Sequence, residues 1–432
     1  MPSLKERDRE VNWHPYTQMK TADDIIPIVK GKGVYLFDDT GKKYIDAVSS
    51  WWVTLHGHAN PYIARKISEQ LNTLEQVIFA GFTHEPATRL SEKLLQLLPD
   101  NQGKVFYSDN GSTAVEVALK MSIQYINNQG EKKTKILAFK NAYHGDTFGA
   151  MAVSGRGTWT QPFSEMLFEV VFIDTPTSEN WESIQSQITN IADEVVCFIF
   201  EPLIQGAAGM LMYEAENLVR LMKLCRKSGI LMIQDEVFTG FGRTGEFFAA
   251  GHLSEKPDIM CFSKGLTGGT LPMGITTCTN GIYNAFLSDD QSKTLFHGHS
   301  FTANPLSCTA ALASMDLLLK PETQKNIRRI TEQHSQFSQR LKEHESFENI
   351  RQTGTIIAWE IKTVYETSYF NAIGKVFYKE FLERGILIRP LGNTMYLVPP
   401  YCITAEELEF VYKNIIEVAE KLTATPIVHV YI

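Results

Sequence analysis

The run Leu231-Met232-Ile233-Gln234-Asp235-Glu236-Val237 brings two carboxylates to the end of an apolar stretch. A strand in an open α/β sheet delivers side chains at its carboxyl end, where such sheets place their ligands. The next apolar stretch, Ile259-Met260-Cys261-Phe262-Ser263, ends in Lys264 and is followed by glycines at 265, 268 and 269. A lysine there needs an anionic partner or a covalent fate, because an unpaired buried ammonium is costly. Asp235 and Lys264, on the ends of different strands, can therefore face one crevice. Taken alone, the acidic pair and the lysine read equally well as exposed turn residues.

Two further loops have the composition of ligand loops. Ser108-Asp109-Asn110-Gly111-Ser112-Thr113 joins an apolar run to the helical pattern starting at Ala114. Its glycine permits close backbone approach, its hydroxyls donate, and a helix N-terminus offers oriented N–H groups to a phosphate. A plain helix cap by Ser112 or Asn110 has the same composition. Asn141-Ala142-Tyr143-His144-Gly145 sets an aromatic before His-Gly, able to stack on a planar cofactor or to serve as a structural turn. Gly240-Phe241-Gly242-Arg243-Thr244-Gly245 satisfies the dinucleotide fingerprint, but Asp235 and Glu236 precede it, placing negative charge where a pyrophosphate would approach. The pairs His56/His58 and His297/His299 lack a third ligand at the spacing zinc sites use, so no metal is expected.

Alternating strands and helices must position these loops. Strands are predicted at 104–108, 135–139, 170–174, 195–200, 229–234 and 259–263, with helices near 112–127, 180–192 and 214–227. That order gives an α/β domain with a mostly parallel central sheet. Long helices near 302–319 and 322–344 then lead into a smaller α+β unit. The predicted division is a large domain over 60–315 and a small one over 316–432. Residues 1–59, with strand-like pieces at 34–37 and 43–46, are too few for a core of their own and are expected to pack with the C-terminal unit.

The chain has 432 residues, 44% of them apolar and 21% charged, an ordinary globular balance. Its 41 basic and 49 acidic residues leave a net charge of −8, a poor basis for general nucleic-acid binding. No apolar run reaches the roughly 18 residues of a membrane span. The six charges of Lys5–Glu10 leave no apolar segment for a secretory signal. The six cysteines include no C-x-x-C pair, and four lie in apolar runs, which fits buried free thiols in the cytoplasm.

Together and in this order, the fragments resemble the class III aminotransferases, pyridoxal-phosphate enzymes of fold type I. The matching signature is Asp235-Glu236-Val237, Gly240 to Gly245, Pro257-Asp258-Ile259 and Ser263-Lys264-Gly265, and the similarity runs from His14 to about Pro400. The resemblance implies that Lys264 carries pyridoxal 5'-phosphate as a Schiff base and that Asp235 pairs with its ring nitrogen. Gly111 and Ser112 would cradle the phosphate, Tyr143 would lie against the ring, and Glu201 matches an acid near the cofactor. Ser300 would reach the phosphate of a neighbouring subunit, making a homodimer part of the site.

His14-Pro15-Tyr16-Thr17-Gln18-Met19, Ser49-Ser50-Trp51-Trp52 with His56-Gly57, and Arg389-Pro390 with Tyr396 narrow the resemblance within the class. They imply amination of 8-amino-7-oxononanoate to 7,8-diaminononanoate, a step of biotin formation. Tyr16, Trp52 and Tyr143 would wall the substrate pocket together with Gly298, Tyr16 also taking part in catalysis, and Arg389 would hold a carboxylate. S-adenosyl-L-methionine is the implied amino donor. Gly298-His299-Ser300 stands where users of that donor often have Gly-Pro-Thr, so lysine is the alternative. Other class III activities, on ornithine, 4-aminobutyrate or diamines, are the nearest rivals. A catalytically silent binding protein would have no need of both Lys264 and Asp235.

Overall fold

Val195–Phe200 is apolar at every position and buried at every position, as a strand covered on both faces must be. It lies inside a seven-stranded sheet of the computed structural model, which describes residues 2–363, 367–368 and 371–423. In chain order the strands are β1 (Gln102–Ser108), β2 (Lys135–Phe139), β3 (Val170–Ile173), β4 (Val195–Phe200), β5 (Leu231–Asp235), β6 (Ile259–Phe262) and β7 (Gly274–Thr279). Across the sheet they run β1-β7-β6-β5-β4-β2-β3. Only β7 is antiparallel to its neighbours, β6 and β1.

Successive residues of one strand feed opposite cores. Leu137, Phe139, Phe198 and Phe200 pack with the helices Trp181–Ile191 and Ala215–Lys227. Ile136, Ala138, Cys197 and Ile199 pack with the helix Gly111–Asn128. Three layers result. The helix Gly111–Asn128 begins where Asn110 accepts the N–H of Thr113 at 3.0 Å and Thr113 returns a bond to the N–H of Asn110 at 3.0 Å. This reciprocal cap fixes the turn between β1 and the helix.

β7 is absent from the sequence reading, and its chemistry explains why. Thr276 and Thr277 alternate poorly with apolar residues, yet both are fully buried. Their hydroxyls donate to Ala114 O and to Gln102 Oε1, each at 2.7 Å, so the polar atoms are satisfied inside the core. The helix expected from 302 starts at Pro305, with Asn304 accepting from the N–H groups of Leu306 and Ser307 at 3.0 Å.

A strand of the N-terminal segment pairs with one from the C-terminal part of the chain. The strand Lys43–Asp46 pairs antiparallel with Tyr35–Asp38 and parallel with Ile386–Leu387. Beside it stands the sheet of Phe347–Thr353, Ile356–Ile361 and Thr394–Leu397. The N–H of Val398 bonds Ala47 O at 2.9 Å, and Ser49 Oγ donates to Val398 O at 2.7 Å. Residues 424–432 of the small unit lie outside the described residues.

Candidate active site

The carboxyl ends of β1, β2, β4, β5 and β6 open on one cleft of about 410 Å³. Gly111 and Ser112 come from the first, Tyr143 and His144 from the second, Glu201 from the third, Asp235 and Lys264 from the last two, and all line it. Of the two carboxylates ending β5, Asp235 faces the cleft. Glu236 turns into the protein and accepts from Gln234, Thr239 and the N–H groups of Ala249 and Ala250 at 2.7–3.1 Å. It clamps the loop beyond the strand, and burial raises its pKa.

Asp235 is held from two sides. Its Oδ1 accepts the N–H of Val237 at 3.0 Å, and its Oδ2 lies 2.7 Å from His144 Nδ1. The carboxylate can only accept, so His144 donates through Nδ1. His144 is itself buried, and its Nε2 has no hydrogen-bond partner among the described residues. The sequence reading gave His144 no role, although it adjoins Tyr143 in the same loop.

Lys264 follows β6 with φ 44°, a left-handed conformation that is uncommon outside glycine. Its amine sits 4.6 Å from the ring centroid of Trp52 and 5.5 Å from that of Phe238. Burial lowers its pKa to about 8, against the opposing charges of Asp235 and Glu201. An amine so placed sheds its proton more readily than an exposed lysine. Glu201 is pushed the other way, to about 7, by burial first and by the charge of Asp235. It accepts the N–H groups of Tyr143 and Gly206 at 3.2 and 3.3 Å, and these bonds with His144 oppose the rise.

At the far end, aromatic rings form the mouth. Tyr16 reaches in from the N-terminal segment, its hydroxyl 3.2 Å from that of Tyr143 and donating to Asp146. Burial and Tyr16 together raise the Tyr143 phenol, which keeps its proton. The Tyr16 ring meets Trp51 and Trp159 edge-on at 5.5 and 5.9 Å. Arg389 lies over the Trp51 ring at 4.3 Å, and Trp52 Nε1 donates to the Tyr396 hydroxyl at 3.1 Å. Trp159 was missing from the sequence reading, since nothing near it in the chain marks it.

Asp46 sets that tryptophan pair. Its fully buried carboxylate accepts the Ser50 N–H at 2.7 Å, the Ser50 hydroxyl at 3.0 Å and the Val48 N–H at 3.3 Å, and His58 Nε2 stands 2.9 Å away. These bonds hold a turn in which Ser49, Ser50 and Trp52 all have positive φ. Arg243, buried in the glycine run, donates to Pro399 O at 2.9 Å and to Trp52 O at 3.4 Å.

Gly298 and Ser300 stand apart. Both are exposed on the loop before Pro305, and neither lines the cleft of its own chain. Tyr16, Trp52 and Arg389 reach the site through the ring contacts above rather than by lining the inner cleft.

The inner cleft has the form of a phosphate and ring site. A Cβ on Gly111 would stand 2.8 Å from Val237 Cγ1, and one on Gly145, at φ 130°, 2.0 Å from Ser112 Oγ. Only glycine fits at these two points of close packing, beside the N-terminus of the helix Gly111–Asn128, whose N–H groups can receive an anion. A carboxylate braced by a histidine and a lysine of lowered pKa face the same space.

A sequence model of the family "Aminotransferase class-III" matches residues 17–419. The chain belongs to the class III aminotransferases and is an enzyme of that class. It is 44% identical, over 95% of its length and 98% of the relative's, to the adenosylmethionine-8-amino-7-oxononanoate aminotransferase of Synechococcus elongatus. The crystal structure of the enzyme of that name from Methanocaldococcus jannaschii superposes with a TM-score of 0.93, at 38% identity, covering 97% of this chain and 98% of that one. An amine transaminase from an uncultivated Pseudomonas species, solved in its PLP-bound form, superposes at 0.89 with 28% identity, covering 95% and 98%.

Proposed function

We propose that the protein transfers an amine to the ketone of 8-amino-7-oxononanoate, giving 7,8-diaminononanoate for biotin formation, with S-adenosyl-L-methionine as amino donor and pyridoxal phosphate as cofactor. The observation that carries this is the layout of the cleft. Lys264 and the Asp235–His144 pair stand at its inner end, and Arg389, over the Trp51 ring, stands at its mouth. A long keto acid fits that layout, its carboxylate on the guanidinium fork and its ketone at the lysine. The names of the relatives support the same substrate and donor.

Gly111, Ser112 and the helix N-terminus would hold the cofactor phosphate, Asp235 the ring nitrogen, Tyr143 a ring face, and Lys264 the aldehyde carbon. Bound there, pyridoxal phosphate supplies a carbonyl that takes up the amine and a ring that draws electrons from the adjacent carbon. The protein's part is acid–base and positional. Lys264 Nζ, poised near neutrality, moves a proton at the carbon that gains or loses nitrogen. Asp235 would face the ring nitrogen, its oxygens fixed by His144 and the Val237 N–H. Tyr16 and Tyr143 close the mouth with their hydroxyls joined, and the Trp52 and Phe238 rings shield the lysine from water.

The reading includes a homodimer. Ser300 lies outside the cleft of its own chain and would complete the phosphate site of a second copy. Its loop and the segment before residue 84 expose Ile78, Phe82, Phe296 and Phe301 at 62–72%, more apolar surface than isolated residues leave to water. Gln76 Nε2 bonds Ser300 O at 2.7 Å and Asn304 Nδ2 bonds Glu75 O at 3.0 Å, so the two segments form one face. Six free thiols suit a reducing compartment and support a cytoplasmic location. Among the described residues no helix is long and apolar enough to cross a membrane.

Half-reactions test the donor. Each candidate amine is added alone to the cofactor-loaded protein, and the visible absorbance is followed. S-adenosyl-L-methionine is expected to bleach it and lysine to leave it unchanged. Bleaching by lysine alone would transfer the donor role to lysine. Failure to convert 8-amino-7-oxononanoate with any donor would sink the substrate reading.

A further inference from the structure

His297 and His299, on the loop that carries Ser300, meet head to head with their Nε2 atoms 3.2 Å apart. Two imidazole nitrogens at that distance can share one proton, neither two nor none. The ends of the pair fix which ring holds it. Lys120 Nζ, on the helix Gly111–Asn128, lies 3.1 Å from His297 Nδ1 and donates to Phe296 O at 3.1 Å. An ammonium has only donors, so His297 Nδ1 accepts and its proton is on Nε2. His299 Nε2 then accepts, which leaves the His299 proton on Nδ1, facing Asp109 Oδ2 at 3.5 Å. One polarity therefore runs from a cation on the helix, through two neutral rings, to an anion.

Asp109 immediately precedes the Asn110–Ser112 turn, and its N–H, like that of Asn110, donates to Thr113 Oγ1, at 3.2 and 3.0 Å. The far end of the relay is thus built into the phosphate cradle of the same chain. On the loop itself, the His299 N–H donates to Thr302 Oγ1 at 2.8 Å, and Gln76 holds Ser300 O.

We infer that His299 is a positioning residue: with His297 it fastens the Ser300 loop to the phosphate cradle of its own subunit, so that the hydroxyl offered to one active site is set by the cradle of the other. This rests on the reading that Ser300 serves the partner's phosphate. The fastening requires both rings neutral, since a proton added to either sets two N–H groups against each other. The charged groups facing the pair are Lys120 and Glu116 from the helix and Asp109 from the turn. Burial first, then Lys120 and His299, lower the His297 pKa, with Glu116 opposing. The fastening is therefore intact at neutral pH and is lost as the pH falls through that lowered value.

The test is the rate at which pyridoxal phosphate leaves the loaded dimer during ultrafiltration, followed from about pH 5 to 8, the window of histidine titration. Ser300→Ala and His299→Ala are both expected to release it about tenfold faster at neutral pH, the size of one lost hydrogen bond to a charged oxygen. His299→Gln is expected to restore retention, because an amide can accept from His297 and donate to Asp109. Wild-type release should quicken on acidification, and that dependence should vanish in His299→Ala. Wild-type retention and pH dependence in His299→Ala, with fast release from Ser300→Ala, would overturn the inference and leave the dimeric site standing. Wild-type retention in Ser300→Ala would remove the dimeric reading and the inference with it.

Discussion

The 2.7 Å contact between His144 and Asp235 gives the buried carboxylate a side-chain donor beside the Val237 N–H. His144→Ala is expected to lower turnover about 10- to 100-fold with the cofactor still bound, the span of one charge-assisted hydrogen bond. A steady-state assay beside an absorbance spectrum checks this, and unchanged turnover would mean that the Val237 N–H suffices. Glu201 yields a prediction for the cofactor-free protein. Its folded pKa, about 7, stands above the ordinary 4.5, so the folded state binds the proton more tightly. Wild-type stability should therefore fall as pH rises from about 4.5 to 7 and level off above, a loss of roughly 3 kcal/mol for a shift of that size. Glu201→Gln should remove the slope in denaturant midpoints measured across that range. A slope that persists would assign it to another group.

The turn Ser49–Trp52 shows how an element works through one buried side chain. Removing the Asp46 carboxylate strands the N–H groups of buried Val48 and of Ser50, a hydroxyl and an imidazole. Asp46→Ala should cost about 3 kcal/mol or more. Asp46→Asn keeps the shape and is the informative variant: with Trp51 no longer fixed beneath Arg389, the KM for the keto acid should rise more than kcat falls. An equal fall in both would give Asp46 a purely structural role. At this scale the central strands were legible, because Val195–Phe200 and Ile259–Phe262 are apolar without interruption. β7 was not, since buried threonines whose hydroxyls are satisfied inside the core look like surface residues in a sequence. Lys264 and Asp235 stood out as charges ending apolar strands, although alone they read equally well as exposed turns, and the structure brings both to one cleft. Trp159 owes its place to Tyr16, far along the chain, and the bonds of Asp46 to Val48, Ser50 and His58 follow no motif that would mark it.

For the whole molecule, a shared site has an arithmetic consequence. When Lys264→Ala and Ser300→Ala proteins are mixed and reassociated, half the dimers are mixed, and each of those holds one site with both residues intact. About a quarter of wild-type activity is expected above what the Ser300→Ala homodimers retain, the statistical share for a two-fold dimer. Sedimentation with a turnover assay checks it, and a fully active monomer would exclude the shared site. Lys264→Ala alone should show neither the visible absorbance of the bound cofactor nor turnover. The layered α/β architecture was readable from the order of strands and helices. How the N-terminal segment enters the small sheet was readable only as a shortage of core.

Ser49 Oγ and its acceptor, Val398 O, are 349 residues apart in sequence. The strand Lys43–Asp46 likewise waits for Ile386–Leu387. On the ribosome, the seven-stranded sheet is complete in sequence before either of those partners has been made. Its carboxyl-end loops can then settle while Trp51 and Trp52 still lack their footing. The nascent chain thus passes through a stage with a formed cradle and an unformed mouth, its N-terminal strands exposing unpaired edges to other chains. A premature stop shortly before Ile386 would leave the translated protein in that stage, able to expose pairing edges but without the arginine and tryptophan wall that recognise a substrate.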